Sequence, residues 1–209
     1  MTAEEIFRQR FGACPLVAII RGVTPADAVD TAKAIFDAGI TIIEVPLNSP
    51  EPFDSIGRIA QALGEDALVG AGTVLGPADV QRVCDAGGRL IVSPNTSPQV
   101  IAATVQAEMV SCPGFFTPTE AFTALAAGAH ALKFFPGEAA APKVVKALRA
   151  VLPKGVPLMV TGGVTVESIA AWREAGADGA GLGSGLYKPG QDAATTAERA
   201  REFVAAARR

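Results

Sequence analysis

The sequence of 209 residues contains few of the residues from which many catalytic sites are built. It has one histidine and three cysteines, and it lacks any apolar run long enough to cross a membrane. The single histidine, His130, excludes metal sites built from several histidines. The cysteines are odd in number and dispersed, at Cys14, Cys84 and Cys112. With no signal peptide, they indicate reduced thiols in a cytoplasmic protein.

An excess of charge is also missing. The formal net charge is −3 at pH 7, and hydrophobic residues make up 49% of the chain. Domains that bind nucleic acid usually carry a basic surface, and disordered chains are poor in apolar residues. The composition therefore excludes disorder and argues against a nucleic-acid partner, and the absence of a long apolar run argues against a membrane partner.

Short apolar, β-branched runs are abundant, and they alternate with helical patterns such as residues 27–38 and 119–127. The runs cover residues 17–21, 41–46, 68–73, 90–93, 109–112, 131–135, 158–161 and 179–183. Their spacing is about that of one βα unit. We therefore predict an α/β protein with one domain over residues 1–209, a (β/α)₈ TIM barrel. A doubly wound sheet is the alternative, but residues 21–24 do not form its glycine-rich phosphate loop.

Two helices are predicted in addition to the repeating units. Residues 1–13 form an extra amphipathic helix that would cover one mouth of the barrel, with Ile6 and Phe7 facing inward. Residues 193–209 form a final helix, which we expect to face solvent.

Lys133 lies in the middle of one apolar run, residues 131–135, which predicts a buried strand. Lysine rarely enters a protein core without a partner, because moving its charge out of water is costly. An amine held in a dry pocket can lose its proton and attack carbonyl groups. The position of Lys133 therefore suggests an enzyme that forms a Schiff base.

Alternation along the predicted strands brings further polar side chains to the same mouth. In this fold the active site lies at the carboxyl ends of the strands, and every second side chain points into the barrel. Placing the polar residues inside makes Ala71 share the inner face with Thr73. The polar residues predicted to converge are Arg21, Glu44, Thr73 and Lys133.

Each of these four residues also has an interpretation without catalysis. Arg21 and Glu44 would form a buried ion pair between neighbouring strands. Thr73 would cap the following helix, and Lys133 would only neutralise Glu44. A structural network rarely needs an acid, an amine, a guanidinium and a hydroxyl at one mouth, so their combination favours a catalytic site.

Glycine-rich loops follow the last two predicted strands, at residues 161–164 and 181–185. Loops at these places in the barrel commonly bind phosphate through backbone N–H groups. Alternatively, the glycines only permit tight turns. Two such loops side by side favour phosphate binding, and the candidate ligands are Gly162, Gly163, Gly183 and Ser184.

Four other residues have less specific signals. Pro94 is expected to form part of the pocket wall, and Phe135 either packs on the ligand or fills the barrel. Cys112 lines the pocket, but no neighbouring group would activate it as a nucleophile. His130 begins its strand at the end away from the mouth, which favours a structural role.

Several short motifs occur in order across almost the whole chain. They lie at residues 19–22, 43–45, 70–74, 93–94, 133–136, 161–163 and 183–184. Together they resemble the class I, Schiff-base aldolases that act on 2-keto-3-deoxy-6-phospho sugar acids, the KDPG/KHG aldolase family. The resemblance implies a (β/α)₈ barrel that assembles as a homotrimer and uses a covalent Schiff base, with no metal or other cofactor.

The same resemblance implies roles for individual residues. Lys133 would form the Schiff base, and Glu44 would be the general acid and base. Arg21 and Thr73 would bind the pyruvyl portion of the substrate. The phosphate would lie on Gly163, Gly183 and Ser184.

The segment after Glu44 separates two sub-families. Enzymes of the gluconate type usually have an arginine four residues after this glutamate, whereas this chain has Asn48. The segment looks like that of the galactonate type. This implies reversible cleavage of 2-dehydro-3-deoxy-6-phosphogalactonate to pyruvate and D-glyceraldehyde 3-phosphate, in galactonate catabolism. The 2-dehydro-3-deoxy-6-phosphogluconate substrate is the alternative.

Two other classes of protein are compatible with the barrel. A metal-dependent aldolase should have a cluster of histidines and carboxylates, which the single histidine disfavours. A non-catalytic phospho-sugar binding protein would use Lys133 only to neutralise an anion.

Overall fold

Strands and helices alternate along residues 1–208, which are the residues that the computed structural model describes. The strands are β1 (Leu16–Ile19), β2 (Ile42–Pro46), β3 (Leu68–Gly72), β4 (Leu90–Val92), β5 (Val110–Cys112), β6 (Gly114–Phe115), β7 (Leu132–Phe134), β8 (Leu158–Thr161) and β9 (Gly179–Leu182). The helices are α1 (Ala3–Ala13), α2 (Ala28–Asp37), α3 (Pro52–Leu63), α4 (Pro77–Asp85), α5 (Pro98–Gln106), α6 (Pro118–Ala126), α7 (Pro142–Arg149), α8 (Ile169–Glu174) and α9 (Ala193–Ala207). None of these helices combines the length and apolar composition needed to cross a membrane.

All nine strands are parallel and form one sheet in the order β5-β4-β3-β2-β1-β9-β8-β7-β6. β5 and β6 are two halves of one barrel strand, separated by Pro113. β5 pairs with β4 and β6 pairs with β7, and the N–H of Lys133 donates to the Pro113 carbonyl over 2.9 Å. The two edges of the sheet therefore meet at Pro113, and the predicted (β/α)₈ barrel is confirmed.

Alternating residues of the strands belong to two separate apolar clusters, as the period of two requires. The outer cluster packs against the helices and includes Ile43, Val69 and Phe134. The inner cluster fills the barrel and consists of Phe7, Phe11, Val17, Ile42, Leu68, Leu90, Val92, Val110, Cys112, Ala131 and Met159. It occupies the part of the barrel below the carboxyl ends of the strands.

Helix α1 covers the mouth at which the strands begin. Phe7 and Phe11 are buried and stack with ring centres 5.0 Å apart, and Phe11 lies close to Gly179, the first residue of β9. The predicted extra helix is therefore confirmed, although Ile6 is only partly buried and Phe11 is the second inward ring. With one mouth closed by α1, ligands reach the barrel from the carboxyl ends of the strands.

Helix α9 differs from the solvent-facing helix that we predicted. One of its faces, which includes Ala200, Phe203 and Val204, is buried, and α9 packs against α2. A helix on the outside of a barrel must bury an apolar stripe, and the many alanines here make that stripe hard to distinguish in the sequence. Arg209, the last residue of the predicted helix, lies outside the described residues.

Candidate active site

Lys133 is in the middle of β7, and it is the buried lysine that the sequence predicts. Its residue is 6% exposed. Its Nζ lies 4.9 Å from the centre of the Phe135 ring, a distance at which the ring face attracts a cation. Below it the apolar inner cluster fills the barrel. The Lys133 amine is therefore held at the boundary between an apolar core and the open mouth.

Glu44 of β2 is buried even more completely, at 2% exposure. Burial raises the pKa of this carboxyl from 4.5 to about 7, although the positive charges of Lys133 and Arg21 partly oppose the shift. Its Oε2 has no hydrogen-bond partner among the described residues. A carboxyl in this state can both accept and release a proton near neutral pH.

Arg21 follows β1 and does not pair with Glu44, so the interpretation as a buried ion pair between them is wrong. Its guanidinium donates hydrogen bonds to Asn48 Oδ1 and, over 3.4 Å, to Thr73 Oγ1. Both partners follow neighbouring strands, Asn48 after β2 and Thr73 after β3. Arg21 therefore lies over the mouth with its charge available to an anion.

Thr73 reaches the mouth for a reason that the alternation of β3 did not predict. Ala71, which we placed on the same inner face, belongs to the outer cluster. Thr73 has a φ of +57°, a left-handed conformation that interrupts the strand and redirects the side chain. It does not cap α4, whose N-cap residue is Gly76. Thr73 thus lies in the cavity lining at the mouth, whereas the predicted orientation of Ala71 is wrong.

The two glycine loops line the mouth, and their backbone N–H groups lack backbone acceptors among the described residues. Gly162 and Gly163 have φ values of +99° and +66°, which glycine adopts without strain. Within residues 1–208, no backbone carbonyl accepts a hydrogen bond from residues 162–164 or 183–185. Buried or half-buried N–H groups are normally paired. Such a group of free donors is suited to an anion with several oxygens.

The mouth contains a cavity of about 390 Å³. Every predicted site residue except Glu44 lines it, namely Arg21, Thr73, Pro94, Lys133, Phe135, Gly162, Gly163, Gly183 and Ser184. Glu44 is buried behind this lining, close enough to Lys133 and Arg21 for their charges to act on its carboxyl. The cavity therefore has the Lys133 amine at its base, with the Glu44 carboxyl buried behind it, and the two glycine loops at its rim.

The lining residues that were not predicted as site residues include Glu138, Thr161 and Lys188. The inward position of Thr161 could have been predicted from the sequence, because Thr161 lies two residues after Met159, which is on the inner face of β8. Its buried Oγ1 has no hydrogen-bond partner among the described residues. Glu138 and Lys188 lie in loops, where strand alternation makes no prediction about the direction of a side chain.

His130 lies where the sequence placed it, whereas Cys112 belongs to the inner cluster and does not line the cavity as predicted. Cys112 is fully buried near Lys133 and Glu44, and burial raises the pKa of its thiol to about 12, which keeps it protonated. His130 is at the opposite end of the barrel, where its Nδ1 accepts a hydrogen bond from the Ser111 N–H over 3.0 Å. Within residues 1–208, no group of three histidine, cysteine or acidic side chains is arranged to hold a metal ion.

Several known proteins are similar to this chain. The family model described as "KDPG and KHG aldolase" matches residues 7–198. The 2-dehydro-3-deoxy-6-phosphogalactonate aldolase of Escherichia coli (strain K12) is 50% identical over 194 residues, which are 93% of this chain and 95% of that protein.

Two solved structures are also similar. A structure described as native KDPGal has a TM-score of 0.91 and 50% identity, with 93% of this chain and 94% of that chain covered. The KDPG aldolase from Legionella pneumophila, with pyruvate captured at low pH as a covalent carbinolamine intermediate, has a TM-score of 0.77 and 25% identity. It covers 99% of this chain and 97% of its own. The chain therefore belongs to the KDPG and KHG aldolase family.

Proposed function

We propose that this protein is a class I aldolase that cleaves 2-dehydro-3-deoxy-6-phospho-D-galactonate reversibly to pyruvate and D-glyceraldehyde 3-phosphate. The observation that carries the proposal is the placement of Lys133. Its amine lies at the base of a cavity, next to a buried carboxyl and opposite two loops with free N–H donors. The galactonate aldolase of E. coli, at 50% identity, supports the same activity.

Lys133 begins the reaction by adding to the C2 ketone of the substrate. Loss of water produces an iminium, which withdraws electrons from C3. The covalent iminium is the electron sink, so the proposed reaction needs no metal ion or other cofactor. The carbinolamine of pyruvate described for the Legionella enzyme is the intermediate expected before such an iminium.

Glu44 is the general base and acid of the proposed reaction. Its carboxylate, directly or through a water, removes the proton of the C4 hydroxyl as the C3–C4 bond breaks, and D-glyceraldehyde 3-phosphate leaves. The remaining enamine is protonated at C3, and hydrolysis releases pyruvate and the free Lys133 amine. A carboxyl with a pKa of about 7 is suited to accept a proton in one step and return it in another.

The ends of the substrate bind to different parts of the cavity. Arg21 and Thr73 bind the pyruvyl portion, and Phe135 and Pro94 form apolar walls. Gly162, Gly163, Gly183 and Ser184 hold the phosphate. This arrangement anchors both ends of the substrate while the central carbons lie next to Lys133.

The C4 configuration of the substrate is assigned from Asn48. In enzymes of the gluconate type the corresponding position is usually an arginine, whereas Asn48 here accepts a hydrogen bond from Arg21. An arginine at this place would put a second positive charge beside Arg21. Asn48 therefore favours the galactonate-type substrate over the alternative, 2-dehydro-3-deoxy-6-phosphogluconate.

We also propose that residues 1–209 form one aldolase domain, that three chains assemble into a homotrimer, and that the enzyme acts in the cytoplasm. A designed cage built by fusing symmetric oligomeric domains contains a chain that is 50% identical to this one, which supports an oligomeric state. Mass measurement in solution tests the trimer.

Trapping with borohydride tests the central step. Pyruvate and borohydride together should add a stable mass to the peptide that contains Lys133, and the Lys133→Met variant should show no adduct. The Lys146→Met variant, which replaces an exposed lysine of α7, is the matched control and should react as the wild type does. Absence of an adduct in the wild type, or loss of activity to a chelator, would rule out the mechanism.

Assaying both C4 epimers side by side tests the substrate.

A further inference from the structure

The side chain of Glu44 extends from β2 towards β3, and its carboxyl lies next to Gly72. In the register of the two strands Glu44 pairs with Gly70, and Gly72 pairs with Pro46. The side chain therefore extends diagonally, one pair of residues nearer to the mouth. A Cβ built on Gly72 would lie 1.4 Å from Glu44 Oε2, 2.2 Å from Cδ and 2.6 Å from Oε1. These are the three nearest heavy atoms, and all belong to the Glu44 carboxyl.

We propose that Gly72 is a positioning residue, whose missing side chain forms a socket that holds the Glu44 carboxyl with Oε2 unpaired and facing backbone. The inference rests on the proposed proton-transfer role of Glu44. Gly72 is buried, and its φ lies outside the left-handed region, so its backbone conformation does not require glycine. Oε2, the atom that would collide with a side chain there, is also the oxygen without a hydrogen-bond partner among the described residues.

Gly70, the other inward glycine of β3, lacks a side chain for a different reason. A Cβ on Gly70 would lie 2.0 Å from the carbonyl oxygen of Leu90, so Gly70 permits close approach of the β4 backbone. At Gly72 the obstacle is a side chain, which can move. An alanine at position 72 therefore pushes the Glu44 carboxyl out of the socket and leaves the backbone of β3 in place.

The charged and titratable groups around Glu44 come from three strands or the loops after them: Arg21 after β1, Lys133 of β7 and Cys112 of β5. Burial, which is the main cause of the raised pKa of Glu44, outweighs the two cations. A carboxyl displaced from the socket moves towards the cavity and its water. Its pKa should then fall towards that of an ordinary carboxyl.

The test compares the wild type, Gly72→Ala and Gly76→Ala. Gly76 lies in the loop after the same strand, and a Cβ on it meets no atom within 4 Å, so Gly76→Ala is the matched control. We expect Gly72→Ala to lower kcat by about 10- to 100-fold, because a displacement of about 1 Å can have an effect of this size. Trapping of pyruvate on Lys133 should persist, and the low-pH limb of kcat should move to lower pH. Gly76→Ala should resemble the wild type in all three measurements.

Carbon NMR of the labelled glutamate carboxyls measures the same effect without catalysis. The Glu44 signal, assigned by its loss in Glu44→Gln, should titrate at lower pH in Gly72→Ala. An unchanged titration midpoint would refute the socket. Because this readout does not need activity, failure of the aldolase proposal, seen as no adduct in the wild type, is distinguishable from failure of the socket.

A double variant provides the second test and covers the case in which Gly72→Ala does not fold. The shorter side chain of Glu44→Asp withdraws from the added methyl group. In the Glu44→Asp background, Gly72→Ala should therefore cause less than a twofold further loss of kcat, and the double variant should fold. An equal loss in both backgrounds, or a double variant that fails to fold, would assign the effect of Gly72 to the backbone and refute the proposal.

Discussion

The guanidinium of Arg21 donates a hydrogen bond to the side-chain oxygen of Asn48. The two residues lie in the loops that follow β1 and β2, and the same guanidinium reaches Thr73 after β3. Three successive loops are thereby joined over the mouth of the barrel. Asn48, from which we propose the C4 configuration of the substrate, therefore holds the cation proposed to bind the pyruvyl portion.

Replacing Asn48 by alanine should weaken substrate binding. Without its acceptor, Arg21 is free to rotate into solvent, and binding must order it again. We expect KM to rise by about three- to tenfold, corresponding to roughly 0.7–1.4 kcal/mol, with kcat within about twofold of the wild type. Steady-state kinetics of cleavage measures both. An unchanged KM would contradict the orienting role of Asn48.

Replacing Glu44 by glutamine should separate proton transfer from covalent chemistry. The amide cannot take the C4 proton, so kcat should fall by about 10²–10⁴-fold, while borohydride should still trap pyruvate on Lys133. In the wild type, kcat for cleavage should fall as the pH drops below about 7, because the Glu44 carboxyl then becomes protonated. The Gln variant should lack this limb. Glu174→Gln, at an exposed position, is the control.

The free energy of unfolding should also depend on pH because of Glu44, and the direction of this dependence follows from its pKa. The pKa of Glu44 is about 7 in the folded state and 4.5 for a free carboxyl, so between these values the folded protein holds a proton that the unfolded chain has released. The contribution of Glu44 to stability therefore falls as the pH rises through this window, and it is constant above it.

Denaturant unfolding of the wild type and Glu44→Gln at several pH values measures this contribution. The difference between their unfolding free energies should change by about 1.4 kcal/mol per pH unit within the window. The variant should gain stability relative to the wild type as the pH rises. A difference that is independent of pH would mean that the pKa of Glu44 is the same in both states.

The phosphate site should respond to the loss of one hydroxyl donor. Ser184 is exposed at the rim and lines the cavity, so Ser184→Ala should leave the fold intact. We expect KM for the phosphorylated substrate to rise by about three- to tenfold, the value of roughly one hydrogen bond to a charged group at an exposed site. KM for the unphosphorylated analogue should not change. Equal effects on both substrates would place the phosphate elsewhere.

Much of the barrel and its chemistry was predictable, because strand alternation is a local property. The runs around Lys133 and Glu44 are apolar apart from these two residues, so placing the polar residue inside the barrel predicted the direction of each side chain. The parallel order of the strands brings their carboxyl ends to one mouth. The reversal at Thr73 was not predictable, since its φ of +57° depends on the surrounding packing. Glu138 and Lys188 were missed because they lie in loops, where no period applies.

The sequence by itself determined the order of strands and helices, the inward direction of Lys133 and Glu44, and the glycines of the two loops. These follow from the period of the backbone and the sizes of single side chains. Only the tertiary structure decided that Arg21 binds Asn48 and not Glu44, and that Oε2 of Glu44 lies unpaired against Gly72. Such contacts depend on the register between strands, and no stretch of a single strand contains that information.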